Sequence, residues 1–168
     1  HANNEVVRGR FQHECEMAVL FDSPHIARVF DAGRVGDDWY LGMEFVRGWR
    51  LSEYLKNLAS QNVRPPLEDT LGMFCGLLSA LHTMHGARHP RTSEPLQAIH
   101  RDVSPANVML GKDAHACLID LGLGNSALKE WHTRTGTLMG TPGYMSPEAV
   151  RAGNVDHRSD LYGAAVVC

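Results

Sequence analysis

The chain has 168 residues, 43% of them hydrophobic and 21% charged, the make-up of one globular domain with a core of its own. A formal net charge of -3 does not suggest a nucleic-acid binder. No apolar run approaches the ~20 residues that span a bilayer, and the start, His1-Ala2-Asn3-Asn4-Glu5, lacks the plan of a signal peptide.

Phe11 to Leu20 reads as a helix, with Phe11, Cys15, Ala18 and Val19 on one face, ended by Asp22-Ser23-Pro24. Ile26 to Val35 and Trp39 to Phe45 are apolar and aromatic runs joined at Gly36-Asp37-Asp38, a β-hairpin signal. Arg50 to Leu58 forms a short helix and Arg64-Pro65-Pro66 a turn. Leu67 to His85 is the longest helical pattern, with Leu71, Phe74, Leu78 and Leu81 as its stripe and Gly72 and Gly76 weakening it. Gly86 to Gln97 holds two prolines and many polar groups and reads as a loop. Val108 to Leu110 and Ala116 to Ile119 are short strands around Gly111-Lys112-Asp113. Gly122 to Thr141, poor in apolar residues, reads as a mobile loop. A helix starts near Ser146-Pro147, with Pro in its first turn, and Ser159-Asp160 begins the last one.

Four cysteines, Cys15, Cys75, Cys117 and Cys168, form no CxxC pair. Three sit in apolar patterns, as buried thiols of a reducing, cytoplasmic compartment would. His82 and His85 share a helix face and His89 follows, but no acid or cysteine completes a metal set. They read as surface histidines near a helix end.

The chemistry concentrates in three segments. His100-Arg101-Asp102-Val103-Ser104-Pro105-Ala106-Asn107 puts an acid five positions before an amide, Asp120-Leu121-Gly122 adds a second acid, and Gly140-Thr141-Pro142-Gly143-Tyr144-Met145-Ser146-Pro147-Glu148 closes the set. In this order and spacing they resemble the catalytic loop, the magnesium-binding segment and the APE segment of a protein kinase. The order of elements resembles a kinase from its αC helix onward, nearest the bacterial serine/threonine kinases of eukaryotic type. The resemblance implies an α+β, two-lobed protein kinase fold truncated at both ends. Residues 1–46 would be the remainder of the N-lobe with the hinge strand, and 47–168 a partial C-lobe.

It also implies roles. Asp102 would be the base that takes the proton of a substrate hydroxyl. Asn107 and Asp120 would hold Mg2+ with hard oxygen ligands and meet the phosphates of ATP. Glu14 would be the αC glutamate that pairs with a phosphate-anchoring lysine. Met43 would stand behind the adenine pocket, with the Glu44 carbonyl and the Val46 backbone bonding the base. Arg101 beside the base would pair a phosphothreonine, with Thr133, Thr135 and Thr137 as candidate acceptors. Thr141 resembles the threonine that touches the catalytic aspartate in serine/threonine kinases, so the partners expected are proteins with Ser or Thr acceptors.

The pattern departs in places. Ser104 stands where most such kinases have a phosphate-contacting lysine; a serine keeps a hydrogen bond but not the charge. A Ser-Pro version with a longer preceding insertion occurs in a bacterial subgroup, and Gly86 to Gln97 resembles that insertion. Leu121 replaces the usual Phe. No Gly-rich loop or Val-Ala-x-Lys strand precedes His1, and Lys56, Lys112 and Lys129, the only lysines, follow the hinge strands. The chain therefore reads as a fragment. A scaffold that uses the fold without transfer is the alternative: Ser104 favours it, while Asp102, Asn107 and Asp120 oppose it.

Overall fold

Gly36 turns the chain with a φ of +63, a conformation that suits a residue without Cβ. Around it Val29–Val35 (β1) and Asp38–Met43 (β2) pair antiparallel, with Val35 opposite Asp38 and Val29 opposite Met43. The computed structural model describes residues 17–36, 38–121, 140–151 and 154–168. The expected hairpin is therefore present, with its first strand starting three residues later than its apolar run. Ile26 instead bridges Leu118 in parallel, and the Ala27 amide donates to the Leu118 carbonyl at 2.9 Å.

A second sheet runs β3-β4-β5, from Trp49–Arg50, Val108–Leu110 and Ala116–Leu118, all antiparallel. The expected strand pair 108–110 and 116–119 is thus found, one residue shorter at its end. Helices α1 (Leu51–Ser60) and α2 (Leu67–His85) follow β3, and two short helices close the chain, α3 (Pro147–Val150) and α4 (His157–Val167). α4 starts two residues before Ser159 because Asp156 caps it, its carboxylate accepting the Arg158 N–H at 2.9 Å.

The core gathers Leu51 from α1, Leu77, Leu81 and Met84 from α2, Val108 and Leu118 from the sheet, and Ala164 from α4. The buried face of α2 is Met73, Gly76, Leu77, Ala80, Leu81 and Met84, so the expected stripe is met in part: Leu81 is buried, Phe74 and Leu78 pack half-buried against the core, and Leu71 is half exposed. Apolar residues surround most of this helix, so period alone leaves the face open. Small residues settle it. A Cβ on Gly76 would stand 2.8 Å from His25 Nδ1 and 3.4 Å from the Ala116 Cβ. That close approach seats the 23–26 turn and β5 on the helix, so Gly76 is a packing residue rather than a weak point.

Two other expectations change. Among the described cysteines only Cys117 is buried, while Cys75 faces out from α2 and Cys168 is exposed. The 86–97 segment is held by its own bonds: the His89 amide donates to the Glu94 carbonyl at 2.9 Å, Leu96 to Ala87 at 2.9 Å, and Arg88 bridges Pro95. Among the described residues no helix is long and apolar enough to cross a membrane.

Candidate active site

Pro105–Asn107 is a single 3-10 turn between Ser104 and β4. Pro105 suits its first position, where no N–H is needed. The turn carries Asn107 back toward Asp102, and its Nδ2 donates to the Asp102 carbonyl at 2.9 Å and to Asp102 Oδ2 at 3.0 Å. Asp102 Oδ1 accepts two more bonds, from the Thr141 amide at 2.9 Å and from Thr141 Oγ1 at 2.9 Å. Thr141 Oγ1 also lies 3.1 Å from Ser104 Oγ. With its one proton on Asp102, Thr141 accepts there from Ser104. Residues 102, 104, 107 and 141, selected by motif, are thus one hydrogen-bonded group.

Ser104 differs from its expected place. It is fully buried and its hydroxyl is turned to Thr141, so it supports the Asp102 carboxylate rather than reaching outward as a lysine would. Asp120 stands beside Asn107 because the Ile119 amide bonds the Asn107 carbonyl at 2.8 Å. Its backbone is left-handed, φ +55, and its carboxylate is exposed with no hydrogen bond among the described residues. Asn107 Oδ1 has none either. These are two hard oxygen donors of the kind a magnesium ion takes, so the residues present fit that cation. Leu121 is buried in the core.

The segment before Asp102 is anchored from α4. Asp160 is a wholly buried carboxylate: Oδ1 accepts the Arg101 amide at 2.8 Å, and Oδ2 accepts the His100 amide at 2.9 Å and His85 Nε2 at 2.8 Å. His85 is therefore not the surface histidine its helix-end position suggests. The His100 ring is fully buried. Desolvation, foremost, lowers its pKa, against the charge of Asp160, the Ile119 carbonyl, Asp120 and Asp102. Its Nε2 meets no partner within hydrogen-bonding geometry among the described residues. Gly163 lets α4 approach, since a Cβ there would come 2.9 Å from the Val103 carbonyl.

The 140–148 segment is tied to the same helix. Ser146 Oγ donates to Ser159 Oγ at 3.0 Å, and Ser159 Oγ donates to Glu148 Oε1 at 2.5 Å. The Ser159 hydroxyl is the main reason that the Glu148 carboxyl titrates lower than usual. Asp160, Ser159 and His85 escape motif reading. The signal in the sequence is the buried stripe 160, 163, 164 and 167 of α4: an acid on an otherwise apolar face needs a partner.

Met43 ends β2, partly exposed, and the Glu44 amide donates to the Arg28 carbonyl at 2.8 Å. The Glu44 carbonyl and the Val46 backbone groups have no partner among the described residues, so they are open to a ligand. Arg101 has a φ of +70 and an exposed side chain. Glu14, Thr133, Thr135 and Thr137 lie outside the described residues.

The family model for the protein kinase domain matches residues 1–168. The chain belongs to the protein kinase family. The kinase chain is 29% identical over 165 residues to the serine/threonine-protein kinase PrkC of Bacillus subtilis, covering 98% of this chain and 23% of that protein. It is 28% identical over 164 residues to the tyrosine-protein kinase MasK of Myxococcus xanthus, covering 98% and 25%. The crystal structure of the PknI kinase domain of Mycobacterium tuberculosis superposes with a TM-score of 0.70 at 27% identity, covering 97% of this kinase chain and 54% of that one. The chain thus spans about a quarter of these two curated relatives and about half of that solved domain. The fold is a partial protein kinase fold.

Proposed function

We propose that this chain carries the catalytic half of a serine/threonine protein kinase, with residues up to 46 belonging to the N-lobe and hinge and the rest to the C-lobe. The observation that carries the reading is the loading of the Asp102 carboxylate. Oδ1 is filled by Thr141, while Oδ2 has a single bond from Asn107 and a lone pair to spare. That lone pair is free to take the hydrogen of an acceptor hydroxyl, which orients the oxygen and receives its proton. When bound, Mg2+-ATP supplies the phosphoryl group and the neutralising charge; Asn107 Oδ1 and Asp120 would hold the cation, and the Met43 to Val46 backbone the adenine. Arg101, free of side-chain partners among the described residues, is suited to a phosphothreonine at 133, 135 or 137.

Thr141 favours Ser and Thr over Tyr as acceptor. It gives Asp102 both an amide and a hydroxyl proton; the proline usual in tyrosine kinases could give neither. The test is phosphotransfer from Mg2+-ATP by the full-length gene product to peptides with Ser, Thr or Tyr acceptors. Phosphoserine or phosphothreonine that disappears with Asp102→Asn is the expected result. Phosphotyrosine alone, or transfer indifferent to that substitution, would overturn the reading.

A further inference from the structure

We propose that Arg50 is a specificity residue that pairs with an acidic side chain of the peptide substrate, a few residues from the acceptor. Its guanidinium stands beside the group built on Asp102. Nη1 donates to the Ala106 carbonyl at 3.2 Å, and Ala106 directly precedes Asn107, whose Nδ2 reaches Asp102 Oδ2 at 3.0 Å. Arg50, Ala106, Asn107 and Asp102 thus form one line from an exposed cation to the carboxylate. That line spans on the order of 10 Å, the length of about three residues of extended peptide.

Local structure gives Arg50 no other task. It is the N-cap of α1, with extended backbone and no side-chain bond to the first turn. Ser, Thr, Asp or Asn would suit that position better, because their oxygens accept a free N–H there. A positive charge also stands against the positive end of the helix. The residue breaks the local rule, yet it pairs with no carboxylate among the described residues, the pattern of a functional position. Its bond to a neutral carbonyl occupies one of five N–H donors and leaves the charge uncancelled. The backbone beneath is fixed: Trp49 and Arg50 pair with Leu110 and Met109, and a Cβ on Gly48 would strike the Leu110 carbonyl. A carboxylate matches such a held fork in shape and charge. The sugar of a nucleotide offers it only neutral hydroxyls, and the phosphates belong with Asn107 and Asp120. This substrate assignment rests on the kinase reading above.

Positional peptide scanning with the full-length protein and Mg2+-ATP tests it. A Ser peptide with Asp or Glu two to four residues from the acceptor should show a KM about fivefold below that of its Ala counterpart, the weight of one partly exposed, hydrogen-bonded ion pair. The gap should narrow in high salt. Arg50→Glu should turn the preference toward Lys or Arg at the same position, while KM for ATP holds. Arg47→Glu makes the same charge change three residues earlier and should keep the acidic preference. Arg50→Ser supplies the missing cap, so it should melt no lower than the wild type and still lose the preference. That variant carries the test if Arg50→Glu fails to fold. A wild type indifferent to acids at these positions, a preference that survives both Arg50 variants, or a raised KM for ATP with peptide KM level would overturn the proposal. A wild type that transfers to no peptide would sink the kinase reading instead. Fluorescence polarisation of the labelled acidic peptide, with Ala in place of the acceptor, then judges Arg50: binding weakened by Arg50→Glu supports the pairing, and binding absent or unchanged overturns it.

Discussion

The two oxygens of Asp102 carry different loads, and the difference can be tested by deletion. Thr141→Val keeps shape but removes the hydroxyl that bonds Oδ1 and accepts from Ser104. One hydrogen bond to a charged group is worth ~1.5–3 kcal/mol, so kcat should fall about ten- to a hundredfold. KM for ATP should hold, and Thr141→Ser should recover most of the rate in steady-state assays. A Val variant that keeps its rate while the Ser variant loses it would mean that the Thr141 methyl, not its hydroxyl, matters. A second test concerns thiols. Burial pushes the Cys117 thiol up to about 11, so at neutral pH it is protonated as well as covered. An alkylating reagent should label the exposed Cys75 and spare Cys117 until denaturant is added, as peptide mass spectrometry would show. Labelling of Cys117 at the same rate as Cys75 would contradict its burial.

Helix α2 shows what an element hides from its sequence. Gly72 and Gly76 look alike in the chain, yet nothing lies within 4 Å of a Cβ at 72, while one at 76 meets His25 at 2.8 Å. His25 cannot easily retreat: its Nδ1 bonds the Ala116 carbonyl at 2.9 Å and its ring stacks on His115 at 4.5 Å. Gly72→Ala should raise stability by ~0.5–1 kcal/mol through helix propensity alone, and Gly76→Ala should lower it by ~1–3 kcal/mol through overpacking. Urea melts of both variants check the opposite signs. The same contrast explains which parts of the site could be read in advance. Asp102, Ser104, Asn107 and Thr141 belong to local motifs whose spacing sets their turns, and they do meet. Asp160 and His85 are brought together by helix packing, 75 residues apart. An acid in a first helical turn is ordinarily a favourable solvent charge, so neither residue announces its partner. The face of α2 was legible only in part for the same reason, its centre being chosen by what packs against it.

At the scale of the whole molecule, acid should unfold this protein in two stages, and the sign follows from three groups whose pKa values are all depressed by folding. The buried His100 ring is held neutral, below its usual 6.5, chiefly by desolvation. The unfolded chain takes up that proton first, so stability present above pH 6.5 is lost as pH falls through that region. Glu148, lowered by the Ser159 hydroxyl, and Asp156, pushed down to about 2 by Arg158, act later. Their support exists above the ordinary carboxylate range and is lost as pH falls below it. Both are only partly buried, so solvent screening keeps their share small. Calorimetric melts should give a level Tm above about pH 7, a first decline beginning near the ordinary histidine pKa of ~6.5 and a second below the usual carboxylate pKa of ~4. His100→Phe removes the titrating ring and keeps the backbone amide on Asp160, so it should flatten the first decline and leave the second. Glu148→Gln should do the reverse, weakening only the second. A first decline that persists unchanged in His100→Phe would overturn its assignment to that buried ring.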